Sequence, residues 1–143
     1  RHDICHISNR TELIMSTLKV NTLQDSSGTN ASTTEQINQG RAKVWCNFNG
    51  SGTAAINDSF NVSSLTDNGT GDYTLSFTSA FANTNYALSG SSGPNSEYIS
   101  NHLTGGGLTS NYTTSSCRFT VRHTYNNNLS DAEFCEVIIC GDN

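Results

Sequence analysis

The chain has 143 residues, a formal net charge of −5 at pH 7 and only 13% charged residues, while 18 Asn, 20 Ser and 18 Thr dominate its composition. That length suits one domain with a modest core, and its Lys and Arg residues never cluster, so the basic footprint of phosphate-backbone binding is missing and no nucleic-acid partner is expected. No apolar run approaches the ~18 residues of a membrane span, and the opening residues lack the basic-then-apolar layout of a signal peptide, so a soluble chain without membrane insertion is expected.

Residues 1 to 14 differ from the rest, with His2, Cys5 and His6 ahead of Met15, which reads as a natural start. They are expected to be an upstream extension, and their histidines and cysteine lack the second ligand pair of a zinc site. Leu18 to Leu23 alternates apolar with polar and predicts a short extended segment; Asp25 to Asn30 reads as a flexible link. Ser32-Thr33-Thr34-Glu35 has capping-box spacing and predicts a short helix running to Gly40. Residues 1–40 are therefore read as an N-terminal arm and connector of extended and helical pieces, and residues 41–143 as the folded domain.

From Ala42 onward the period is two. Val44, Cys46 and Phe48 share one face; Phe60, Val62 and Ser64 share the next; Tyr73, Leu75 and Phe77 share the third. Asp67-Asn68-Gly69-Thr70-Gly71-Asp72 supplies residues tolerant of positive φ and predicts a hairpin. Tyr86 to Gly90 reads as another strand. Ser91 to Ser116 reads as loops around short strand-like pieces, broken at Gly93-Pro94 and Gly105-Gly106-Gly107. Cys117 to Tyr125 alternates cleanly, Asn126 to Asn128 turns the chain, and Phe134 to Cys140 closes it. About seven such strands with turn signals between them predict an all-β fold, an antiparallel β-sandwich of jelly-roll-like type. With 34% hydrophobic residues, part of the core is expected to be shared with another copy of the chain.

The cysteines are Cys5, Cys46, Cys117, Cys135 and Cys140, an odd set. Cys46 and Cys117 fall on alternating strand positions as small buried hydrophobes, whereas a disulfide from Cys135 or Cys140 to another strand would imply an oxidising compartment. Eight Asn-X-Ser/Thr sequons occur, a number that frequency alone produces in such a composition. Asp67 and Asp72 flank one hairpin, where turn chemistry explains both, and no Gly-X-Ser-X-Gly elbow accompanies the many serines. No catalytic residue, cofactor or metal is assigned, although His102 and His123 are noted because a histidine on a three-fold axis becomes three imidazoles. Trp45 and Phe48 are assigned to the core or to a subunit contact, with sugar stacking by Trp45 as the alternative. Tyr98, His102 and Tyr112, among Ser, Asn and Gly, are the candidate binding residues of an adaptable loop region.

Arg41-Ala42-Lys43-Val44-Trp45, Asn47-Phe48-Asn49-Gly50, Phe60-Asn61-Val62-Ser63-Ser64, Thr66 to Thr74 and Ala82 to Tyr86 resemble a recurrent module of bacteriophage tail-fibre and related virion proteins, especially of marine and cyanobacterial phages. Leu18 to Gly28 resembles the segment that precedes such modules, and the likeness runs from about Met15 to Asn143. It implies a virion surface protein, often homotrimeric, in contact with other virion proteins and helping the particle attach to a host-surface glycan or receptor. Cys46 and the C-terminal cysteines depart from the pattern. A capsid or tail decoration protein without a receptor role is the second reading, and a secreted β-rich protein held by disulfides the third.

Overall fold

Alternation of apolar and polar residues marks the core strands, and the described residues form ten short strands and one helix. The computed structural model describes residues 19–93, 101–105 and 111–142. The chain divides into two compact units, Arg1–Thr34 and Glu35–Asn143.

In the first unit, β1 (Thr22–Gln24) and β2 (Ala31–Thr33) form an antiparallel hairpin with Leu23 opposite Ser32. The segment expected to be a flexible link is its turn. Asp25 gathers that turn: its carboxylate accepts from the Ser27 hydroxyl (2.7 Å), the Ser27 amide (3.1 Å), the Thr29 amide (3.0 Å) and the Asn30 side-chain amide (2.8 Å). These donors, the Ser27 hydroxyl foremost, bring the carboxyl from its ordinary 3.8 to about 2. Every described residue from 19 to 34 is exposed.

The second unit opens with α1 (Thr34–Gly40). The residue before its first turn is Thr33, so the operative capping-box spacing is Thr33 to Gln36, one place later than Ser32 to Glu35. Eight strands follow: β3 (Val44–Asn49), β4 (Ala55–Phe60), β5 (Val62–Gly69), β6 (Asp72–Phe77), β7 (Ala87–Ser92), β8 (Asn101–Gly105), β9 (Ser116–His123) and β10 (Cys135–Cys140). They are hydrogen-bonded in one antiparallel sheet of order β4-β3-β10-β7-β8-β9-β6-β5. The fold is all-β. The β3/β10 part of the sheet folds over the β6/β9 part, and Phe48 meets Tyr73 edge-on at 5.1 Å and Phe119 at 6.0 Å. The alternating residues of β3, β6, β9 and β10 fill this interior, with Val44, Phe48, Tyr73, Leu75, Phe119, Val121 and Ile139 fully buried.

Phe60 and Val62, expected on one face of one strand, belong to different strands. Asn61 between them takes a left-handed conformation (φ 58°) and turns the chain from one edge of the sheet to the other. Its side chain ties the residue before β3 to the segment after β6: Nδ2 donates to the carbonyls of Lys43 and Ser79 (3.1 Å each), and Oδ1 accepts from the Ser79 amide (2.7 Å).

A second clasp sits at the opposite end of β6. The Tyr73 hydroxyl lies 2.8 Å from the Gly50 carbonyl and 2.8 Å from Asp131 Oδ1, sharing its proton between the two acceptors. Asp131 Oδ1 also accepts from the Gly71 amide at 2.7 Å. Gly71 has φ 62°, and a Cβ there would lie 2.6 Å from both the Ser130 nitrogen and the Val121 oxygen, so only glycine fits. The hairpin predicted from Asp67 to Asp72 thus has its turn pressed against the lead-in to β10.

Two outcomes follow from these anchors. Replacing Asn61 with Ala removes three hydrogen bonds and leaves in the left-handed region a residue that tolerates it less well than asparagine, lowering stability by about 3 kcal/mol in urea unfolding, with Asn61→Gly losing less because the backbone is then unstrained. Because the Asp25 pKa is depressed on folding, its contribution to the hairpin is complete above pH 3.8 and is lost as pH falls towards about 2. Amide protection of β1 and β2 by NMR should follow that window in the native chain and show no such dependence in Asp25→Asn.

Candidate functional site

The sheet has an outward face that the core leaves free, and register decides what stands on it. Ile138 lies opposite Trp45, Trp45 opposite Phe60, and Ser89 opposite Ile138. Residues directly opposite each other share a face, so one row runs Ser89, Ile138, Trp45, Phe60 across β7, β10, β3 and β4. Its apolar members stay open to solvent: Trp45 is 37% exposed, Ile138 46% and Phe60 53%. Two residues along each strand a parallel row carries Ser91, Glu136, Asn47 and Asp58. The Ser91 hydroxyl approaches Glu136 Oε2 at 3.3 Å, and Asn57 donates to Asn47 Oδ1 at 2.8 Å.

Lys43, just before β3, is 1% exposed, and its Nζ donates to Asn38 Oδ1 of α1 at 2.6 Å. The apolar row itself stays open to solvent. Shallow depressions lie at both ends: one between Arg41, Phe60, Asn61 and Ser79, the other between Ser89, Ser91, Glu136 and Ile138.

The residues singled out from the sequence are scattered. Phe48 is wholly buried in the core and Trp45 is on the opposite, open face, as their parity requires. Tyr98 lies outside the described residues. His102 falls in β8, its backbone between Ser91 and Arg122. Tyr112 packs beside the core, its ring meeting Tyr86 edge-on at 5.3 Å, and burial raises its phenol above the ordinary value. Sequence reasoning singled out Trp45 but missed its companions Ile138 and Phe60. The signal available, an apolar residue of outward parity on a strand, carries no information about which strand lies alongside.

The carboxylates have identifiable partners in turns and pairs. Asp67 accepts from the Gly69 amide at 2.9 Å. Asp72 forms a two-pronged pair with the Arg118 guanidinium, Nε to Oδ1 at 2.8 Å, and that bond holds its carboxyl below the ordinary value. Asp131 is engaged by Tyr73 and Gly71. Among the described residues no group of three or more His, Cys, Asp and Glu is placed to hold a metal, and two buried side-chain atoms, Ser92 Oγ and His123 Nδ1, have no hydrogen-bond partner.

Cys46, Cys117, Cys135 and Cys140 are free thiols, so neither C-terminal cysteine forms the disulfide considered from the sequence. Burial pushes the Cys46 thiol up to about 11 and those of Cys117 and Cys135 to about 12. No family model, curated protein or solved structure matches the chain.

Thiolate is the reactive form of cysteine, so among the cysteines of the described residues alkylation with iodoacetamide at pH 8 should mark the partly covered Cys140 first. Peptide mass mapping should find Cys46, Cys117 and Cys135 modified only after urea unfolds the sheet.

Proposed function

We propose that this chain is a structural protein of a bacteriophage particle: a tail-fibre-like β-module of the virion surface, assembled as a homotrimer and serving attachment to the host. The observation that carries the reading is the arm. The β1–β2 hairpin buries none of its described residues, with Val20 36% and Leu23 52% exposed, and a two-stranded hairpin alone is marginally stable at best. Such a segment acquires a buried face by docking on something else, and a neighbouring subunit or another virion protein supplies it.

Two further features support the reading. The resemblance of residues 15 to 143 to phage fibre modules covers both the arm and the β-domain. The free, buried thiols suit folding in a reducing compartment, such as the bacterial cytosol in which phage particles are assembled, and weigh against a secreted chain held by disulfides. The arm serves a capsid or tail decoration protein equally well, and host adsorption separates the two.

Light scattering on the full chain should give a mass three times that of one chain, and electron microscopy with a specific antibody should place it on intact particles. Val20→Asp with Leu23→Asp should abolish both the trimer and the association with particles while leaving the urea midpoint of the β-domain unchanged. A monodisperse monomer that never joins a particle would overturn the reading.

A further inference from the structure

We propose that the outward face of β10, β3 and β4 is a carbohydrate-binding face, which takes a short stretch of neutral glycan along the row Ser89, Ile138, Trp45, Phe60. The inference rests on the attachment role above and names its ligand class and the residues that meet it.

A pyranose ring presents a patch of C–H groups on its face and hydroxyls around its rim. A surface that recognises it supplies a flat apolar strip with hydrogen-bonding groups alongside, and this face carries both. Trp45 and Phe60, on adjacent strands and directly opposite each other, give two aromatic surfaces side by side, and Ile138 extends them. The neighbouring row offers the carboxylates of Glu136 and Asp58 and the amide of Asn47, groups that accept from or bridge vicinal hydroxyls. At a strand spacing of ~4.8 Å the row from Ser89 to Phe60 is roughly 14 Å long, the length of a short oligosaccharide, and a depression closes each end, of about 320 Å³ beside Phe60 and about 410 Å³ beside Ser89.

The same features select against other occupants. A stable contact with a second copy buries at least ~1,200 Å² around a dry apolar centre. Here the apolar strip is one side chain wide and is bordered by the carboxylates of Glu136 and Asp58. Glu136 and Asp58 repel phosphates, sulfates and acidic sugars, and the nearby cations, Arg41 and a Lys43 buried on Asn38, stand at the far end beside Phe60. Neutral hydroxyl-rich ligands meet no such penalty.

Trp45 is the sole tryptophan, so its emission reports on the row directly. The full chain is titrated with maltotriose, cellotriose, chitotriose and an array of neutral hexose and N-acetylhexosamine oligosaccharides, with sialyllactose as the acidic comparator. The expected result is a saturable change in Trp45 emission with at least one neutral sugar and none with sialyllactose. Phe60→Ala and Ile138→Ser, both at exposed positions, should each weaken that binding roughly tenfold or more, with urea midpoints confirming that they fold, and Glu136→Gln should weaken it several-fold. Emission unmoved by every sugar, or binding undiminished in Phe60→Ala and Ile138→Ser, would overturn the proposal; so would an oligomer that dissociates in those two variants, which assigns the face to a second copy. Loss of sugar binding with particle association intact removes this inference alone. A chain that binds sugar but never joins a particle removes the virion reading alone.

Discussion

Asn61 stands at the corner where the chain passes from β4, on one edge of an eight-stranded sheet, to β5 on the other, and its side-chain amide bonds to the backbone of Lys43, before β3, and of Ser79, after β6. The left-handed backbone there lets β4 end on one edge and β5 begin on the other without an intervening loop. Asparagine tolerates that conformation better than other side chains, and its amide supplies a donor and an acceptor on one short arm. The clasp brings the start of β3 close to the end of β6, and in the core Phe48 of β3 packs against Tyr73 of β6 and Phe119 of β9. At the far end Tyr73 does the corresponding work, its hydroxyl tying the turn after β3 to the lead-in of β10. Between the two clasps the core is filled by side chains of this chain itself.

That arrangement has a consequence for the surface. Because the interior is filled from one side of each strand, the apolar residues of opposite parity have nowhere to go but the open face. Trp45, Ile138 and Phe60 arrive there together, one from each of three neighbouring strands. Lys43, just before β3, is buried and held by Asn38 of α1, while the aromatic strip stays uncovered. The low charge and high hydroxyl and amide content of the remaining surface suit a molecule that meets other surfaces by hydrogen bonding and stacking. The arm has the opposite character, with apolar residues exposed and none of its described residues buried.

The sequons show how tertiary structure reassigns a motif. Asn61 opens one, yet both ends of its amide are committed to the backbone. Asn68 opens another, and its Nδ2 donates to Thr74 Oγ1 at 2.9 Å across the hairpin. In a chain so rich in Asn, Ser and Thr these side chains are the means by which turns and edges are fastened, which is the physical reason the composition departs so far from average.

The inner residues of β3, β6, β9 and β10, the hairpin from Asp67 to Asp72 and the capped helix before Gly40 were all legible in the sequence, because each rests on a local rule: period two, positive-φ tolerance, or the spacing of a cap. The strand from Ala55 to Phe60 was not, since Ala-Ile-Asn-Asp-Ser-Phe is an edge strand whose residues are largely exposed and carry no alternation. Nor was the corner at Asn61, where a change of strand leaves the period unbroken on paper. The sequence by itself determined which side of each strand faces the core, and therefore that Trp45 points away from Phe48. Only the tertiary structure decided that Ile138 and Phe60 flank Trp45, because parity is a property of one strand, whereas register belongs to hydrogen bonds between strands far apart in the chain.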